Sequence, residues 1–129
     1  MGGDRLPRRI LDEARIHPAI RDKVATRNAD VVDEVEAAIA GNDVVVVGMA
    51  QNPHVKGARR ALERAGIACR YLEYGSYLGQ WRRRNALKMW TGWPTFPMVF
   101  VRGVLVGGAS DLVQMIADGE LQRMLSTPA

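Results

Sequence analysis

Three short stretches of the chain carry residue types from which a binding or catalytic site could be assembled. The first, Ala50-Gln51-Asn52-Pro53-His54-Val55, follows an apolar run and precedes an amphipathic one, so Asn52 and His54 stand where a strand hands over to a helix. An asparagine carboxamide is no nucleophile toward a disulfide and no thiolate ligand for iron. Histidine is the side chain that titrates nearest neutral pH, but no second catalytic group accompanies His54, and a surface role is the plainer reading. The second stretch is cationic: Arg82, Arg83, Arg84 and Lys88. Arg84 and Lys88 are four apart and share a helical face. In the third, Gly107 and Gly108 let the backbone approach a ligand closely, and a helix opening at Ser110 and Asp111 offers N–H groups to an anion. Either of those two residues would equally cap its own helix.

The whole chain bounds what these residues can belong to. At 129 residues and 47% hydrophobic content it is long enough for one core. With one cysteine, Cys69, no disulfide within the chain can form, which excludes a disulfide-stapled secreted scaffold and makes a reducing cytoplasm the natural compartment. The N-terminus is basic, but no apolar stretch of signal-peptide length follows it and no run approaches a membrane span, so no membrane partner is expected. The net charge of +4 favours anionic partners without choosing among metabolite, nucleic acid and protein. Cys69 reads as a small buried filler and His17 as a surface or capping residue.

The elements that must position these residues follow from periodicity. Apolar positions recur at helical spacing from Leu6 to about Ala40, in two or three short helices interrupted at His17-Pro18 and ended by Gly41-Asn42-Asp43. Val44 to Val47 is an unbroken β-branched run, as a strand buried on both faces requires. Val55 to Ala65 is an amphipathic helix closed by Gly66, and Ala68 to Glu73 a second strand. Gly75 to Trp90 is the longest periodic segment, with Leu78, Trp81, Leu87 and Trp90 available for an inner face. Met98 to Val101 and Val104 to Val106, separated by Arg102-Gly103, predict a tight hairpin, and a closing helix follows, broken at Gly119. The order β-α-β-α-β-β-α is that of an α/β, thioredoxin-like fold: a four-stranded mixed sheet flanked by helices. Residues 1–42 are expected as an N-terminal helical extension and 43–129 as the domain.

Trp93-Pro94-Thr95-Phe96-Pro97, then Val99-Phe100-Val101, Gly103, and Val106-Gly107-Gly108 with Asp111, resemble the C-terminal half of monothiol glutaredoxins. The order and spacing of these residues around a predicted hairpin make the combination specific. The resemblance extends with less certainty back to Val44, about two-thirds of the chain. It implies a glutathione cleft. The bond before Pro97 would be cis, against the ordinary preference for trans, and would turn the backbone of Phe96 toward the cysteinyl part of glutathione. Thr95 belongs to the same motif. Gly107, Gly108 and the helix start would meet the γ-glutamyl carboxylate, and Asp111, or Ser110 in a shifted register, the α-ammonium. Arg84 and Lys88 match basic family positions that would face the glycyl carboxylate; Arg82 and Arg83 have no counterpart and read as solvated charge.

The departure falls at the first stretch. Where the monothiol family has Cys-Gly-Phe-Ser and dithiol members Cys-Pro-x-Cys, this chain has Asn52-Pro53-His54-Val55. Thiol-disulfide exchange requires a thiolate, and the family's shared [2Fe-2S] cluster requires a loop thiolate as ligand, so no iron–sulfur cluster is expected. Two readings follow. In the first, the chain binds glutathione or a cysteinyl peptide as a redox-inactive module, its N-terminal helices forming a docking surface or a homodimer contact. In the second, it is a glutathione-dependent oxidoreductase or transferase in which Asn52 donates to the ligand's own thiol. A nucleic-acid patch built on Tyr77, Trp81, Trp90 and the arginines ranks well below both, because aromatics at that spacing are expected to face the core.

Overall fold

The four consecutive valines become the centre of the sheet. In the computed structural model, which describes residues 8–76 and 78–127, each of Val44 to Val47 is 1% exposed or less. Their strand, β1 (Val44–Gly48), pairs in parallel with β2 (Arg70–Glu73) and antiparallel with β3 (Met98–Val101), and β3 pairs antiparallel with β4 (Val104–Gly107). The order across the sheet is β2-β1-β3-β4. Side chains alternate along β1, so Val45 and Val47 enter one core with Leu72, Leu87, Met98 and Phe100, while Val44 and Val46 enter the other with Ala58, Leu62, Val99, Leu112 and Leu121. This four-stranded mixed sheet flanked by helices is the thioredoxin-like arrangement that the order of elements predicts.

Helix boundaries follow local chemistry. A 3-10 turn (Glu13–Arg15) precedes α1 (Pro18–Thr26), and His17 Nδ1 accepts from the Ala19 N–H at 3.0 Å. His17-Pro18 thus opens a helix instead of interrupting one, because proline at the first helical position lacks an N–H that would have no partner there anyway. α2 (Ala29–Gly41) follows, and α3 (Pro53–Arg64) joins β1 to β2. α3 ends with Gly66 at φ +72°, where the N–H groups of Gly66 and Ile67 return to the carbonyls of Glu63 and Leu62. The hairpin turn Arg102-Gly103 has positive φ at both residues, 48° and 82°, as the twist of a two-residue connection demands. α5 (Ala109–Ala117) and α6 (Glu120–Ser126) are separated at Gly119, φ +80°.

The helices before residue 43 are not equivalent. α1 buries none of its residues, whereas Val31 and Val35 of α2 are 0% exposed and belong to the core beside Tyr74 and Leu87. The long periodic segment also starts later than its spacing predicts. α4 runs Trp81–Thr91, because Gln80 at its head takes a left-handed backbone, φ 57°, that no helix continues through. Its inner face is Arg84 and Leu87, with Trp90 tilted against Phe100 at 6.1 Å between ring centroids. Trp81 and Leu78 lie outward, 56% and 98% exposed, contrary to the inward placement expected: Leu78 precedes the helix, and the face of α4 turned inward is that of Arg84 and Leu87. Tyr77 lies outside the described residues.

Candidate functional site

Strand directions bring the three chemical stretches to one edge of the sheet. Gly48 pairs with Glu73 in parallel, Val47 with Met98 and Val99 with Gly107 antiparallel. The exits of β1, β2 and β4 and the entrance to β3 therefore share one end, where the segments 49–52, 92–97 and 107–111 meet.

Asn52 is the N-cap of α3, with Pro53 in the first turn. Its Oδ1 accepts from the backbone N–H groups of His54 at 2.9 Å and Val55 at 3.1 Å, and the residue is 8% exposed. The positive end of the α3 dipole is thus met by a neutral carboxamide oxygen. Val55 packs back on β1: a Cβ added at Gly48 would lie 2.7 Å from its Cγ1. The preceding loop is held by the Ala50 N–H donating to the Gly75 carbonyl at 2.7 Å. His54 is exposed.

Across the shelf, the Phe96-Pro97 bond is cis; Phe96 and Pro97 are buried and Thr95 is exposed. A Cβ built on Gly108 would stand 3.5 Å from both the Pro97 carbonyl oxygen and Trp93 Nε1, so the glycine backbone runs against this segment. Gly107 has φ +121°, and a Cβ there would come within 2.7 Å of the Asp111 Cγ, so glycine is required. Asp111 Oδ2 accepts from the Gly108 N–H at 2.9 Å, fixing the start of α5 and engaging one of its two carboxylate oxygens. Ser110 is exposed beside it.

The cations divide. Lys88 is half-buried with its Nζ 5.8 Å from the Phe96 ring centroid, at the rim of the shelf. Arg84 is 8% exposed, and its Nη1 donates to the carbonyl of Tyr74 at 3.0 Å and to that of Gly79. The guanidinium expected at a carboxylate here ties the carbonyls of Tyr74 and Gly79 to α4 through that one nitrogen, satisfying two backbone acceptors. Arg83 is more than solvated charge: it meets Asp30 at 3.3 Å and Glu34 at 3.8 Å and lies over the Tyr74 ring. Spacing places Arg84 and Lys88 on one face, but does not say which of them the core absorbs.

Cys69 lies just before β2, at the end of the sheet opposite the shelf, and is exposed, not the buried filler expected. The protein around its thiol desolvates it and pushes its pKa up, with Arg59 opposing, so the thiol form is favoured. A groove of about 660 Å³ lies elsewhere, between α1, α2 and α4, lined among others by Val24, Val32, Trp81, Met89 and Trp90. Among the described residues, no helix is long and apolar enough to cross a membrane.

No protein-family model matches the chain. It is 45% identical over 114 residues to a glutaredoxin-like protein of Dictyostelium discoideum, covering 88% of this chain and 91% of that protein. That span is longer than everything from Val44 onward, so the similarity reaches into the N-terminal helices. Oxidized glutaredoxin 2 from Chlamydomonas reinhardtii is similar in structure with a TM-score of 0.65 at 28% identity, over 76% of this chain and 92% of that one. A buckwheat glutaredoxin-glutathione complex has the same fold, with a TM-score of 0.69 at 22% identity over 78% and 91% of the two chains.

Proposed function

This chain belongs to the glutaredoxin family, and from that premise we propose that it binds glutathione, or the cysteinyl segment of a peptide or protein, without exchanging disulfides. The observation that carries this reading is Asn52. The family's reaction needs a thiolate at the head of the helix after β1, stabilised by N–H groups there. In this chain the N–H groups of His54 and Val55 are already accepted by the Asn52 carboxamide, a group that cannot attack sulfur. The same replacement leaves no loop thiolate, and this donor set does not fit an iron–sulfur cluster.

The binding half of the reading rests on the opposite wall. Phe96 at the Pro97 bend would pair its backbone with the cysteinyl unit, with Thr95 beside it. The Gly107-Gly108 backbone and the first N–H groups of α5 would receive the γ-glutamyl carboxylate. The second oxygen of Asp111, aided by Ser110, would receive the α-ammonium, and Lys88 the glycyl carboxylate. Arg84 acts indirectly, by holding the segment after β2. A neighbour of the same fold has been solved as a complex with glutathione, which supports this assignment of the ligand. Calorimetry and amide NMR with reduced glutathione test it: saturable binding with shifts at Phe96, Gly108 and Asp111 is expected, together with no turnover of a glutathione mixed disulfide. Silence up to millimolar ligand would reject the cleft, and turnover would reject the inactive centre.

A further inference from the structure

We propose that the groove between α1, α2 and α4 is a binding site for an amphipathic organic anion, a carboxylate or sulfonate carried on an apolar body. The site is separate from the shelf and does not depend on the glutathione reading. α1 buries none of its residues, yet it supplies a wall of this groove: Val24 lines it from α1, Val32 from α2, and Trp81, Met89 and Trp90 from α4. Val24, Trp81 and Met89 are 50%, 56% and 78% exposed, an apolar surface that the core does not use. Large apolar side chains gathered in one concavity are the mark of a binding groove, whereas single ones scattered over a surface are ordinary. The volume of about 660 Å³ is that of a small-molecule site.

The stretch that carries α1 is tied on both sides. Asn28, at a left-handed φ of 54°, turns the chain from α1 into α2, and ahead of α1 the Arg8 guanidinium donates to the Trp90 carbonyl at 3.2 Å. The groove is therefore walled by anchored chain. Charge then selects the class of ligand. The lining holds two guanidinium groups, Arg27 and Arg82, against one carboxylate, Asp33. Arg82 lies over the Trp81 ring, its guanidinium carbon 5.3 Å from the centroid, so a cation stands at the edge of the apolar floor. An anion with its body on the tryptophans gains from both arginines, while a cation of the same shape meets two like charges and one opposite.

The test is a fluorescence titration of anilinonaphthalene sulfonate into the full chain, with dodecanoate as competitor and dodecyltrimethylammonium as its cationic counterpart, both below their micelle concentrations. Saturable binding is expected, displaced by dodecanoate and not by dodecyltrimethylammonium. Arg27→Gln combined with Arg82→Gln, both at exposed positions, should weaken it about fivefold. Val24→Asp, which sets a carboxylate on the wall, should abolish it. Hydrogen exchange locates the probe: because the ligand joins α1 to α4, exchange should slow in α1 and stay unchanged at Phe96 and Gly108. Absence of binding, equal displacement by the cationic amphiphile, or affinity that the arginine variant leaves unchanged would overturn the proposal. Protection confined to the shelf would overturn it too, by placing the anion in the other cleft.

Discussion

Asn52 caps α3 with its carboxamide oxygen at the position where the family's nucleophile stands. That oxygen accepts from the His54 and Val55 N–H groups where the family carries a thiol, so substitutions separate the cap from the missing sulfur. Asn52→Ala removes the cap and should cost about 1 kcal/mol, read as a lower urea midpoint at unchanged m-value. Asn52→Asp, by contrast, should lose nothing, because a carboxylate caps at least as well and suits the dipole. Asn52→Cys exchanges the oxygen for a sulfur beneath the same two N–H groups, which would stabilise a thiolate. That variant should gain turnover of a glutathione mixed disulfide over the native background; a variant that binds glutathione and stays inert would mean the loop has lost more than its sulfur. At this scale the sequence is partly legible. Asparagine followed by proline at the head of an amphipathic run is the signature of an N-cap with proline at the first helical position, and it is in plain view. Arg84 is not legible in the same way, because its role depends on the Tyr74 and Gly79 carbonyls, whose position comes from a turn that periodicity does not describe.

At the scale of elements, α2, α4 and the segment after β2 are bound by a polar cluster. The Tyr74 hydroxyl donates to Glu34, Arg83 lies over the Tyr74 ring, and Arg84 donates to the Tyr74 and Gly79 carbonyls. Arg84→Met would leave two carbonyls unpaired under a helix and should destabilise by about 2–3 kcal/mol, with faster amide exchange concentrated in the 74–79 segment. Arg84→Lys should restore part of this stability, since both bonds come from the single Nη1 and an ammonium also carries more than one donor. Burial, and then the bond to Glu34, push the Tyr74 hydroxyl above the ordinary tyrosine range. A folded-state pKa above the unfolded one means a contribution complete below about pH 10 and lost as pH rises through the folded value. Chemical denaturation from pH 8 to pH 11 should thus show a steeper alkaline loss in the native chain than in Tyr74→Phe. Some slope will remain in the variant, because Tyr71 is shifted in the same direction by burial and by Glu73. The hairpin and the strand-helix-strand unit were open to sequence reasoning because valine runs and an Arg-Gly turn encode them locally. The late start of α4 was not, because apolar spacing runs straight through Gln80, whose left-handed backbone sets the first helical residue at Trp81.

Over the whole molecule, α2 packs into the core whereas α1 does not. Val31 and Val35 fill the core face that β1, β2 and α4 leave open, so the stretch 43–129 alone would expose Tyr74 and Leu87. That fragment should lack a cooperative thermal transition. A version beginning at Asn28, which retains α2, should keep one, since α1 buries none of its residues. Equal transitions for the two would show that α2 is dispensable. The sequence marks α2 as amphipathic but does not reveal which side of the sheet lacks a cover, and this is why helices on both sides of residue 28 read alike.

The two outer strands, β2 and β4, are each four residues long. β2 offers charge at both ends, Arg70 and Glu73, and β4 ends in Gly107, whose φ of +121° turns the backbone away. A foreign strand laid along either rim would gain few backbone bonds and meet charge or a bend at the next step. The sheet is thereby a poor template for fibre growth, and the chain should stay dispersed at concentrations where longer, flatter rims would seed aggregates.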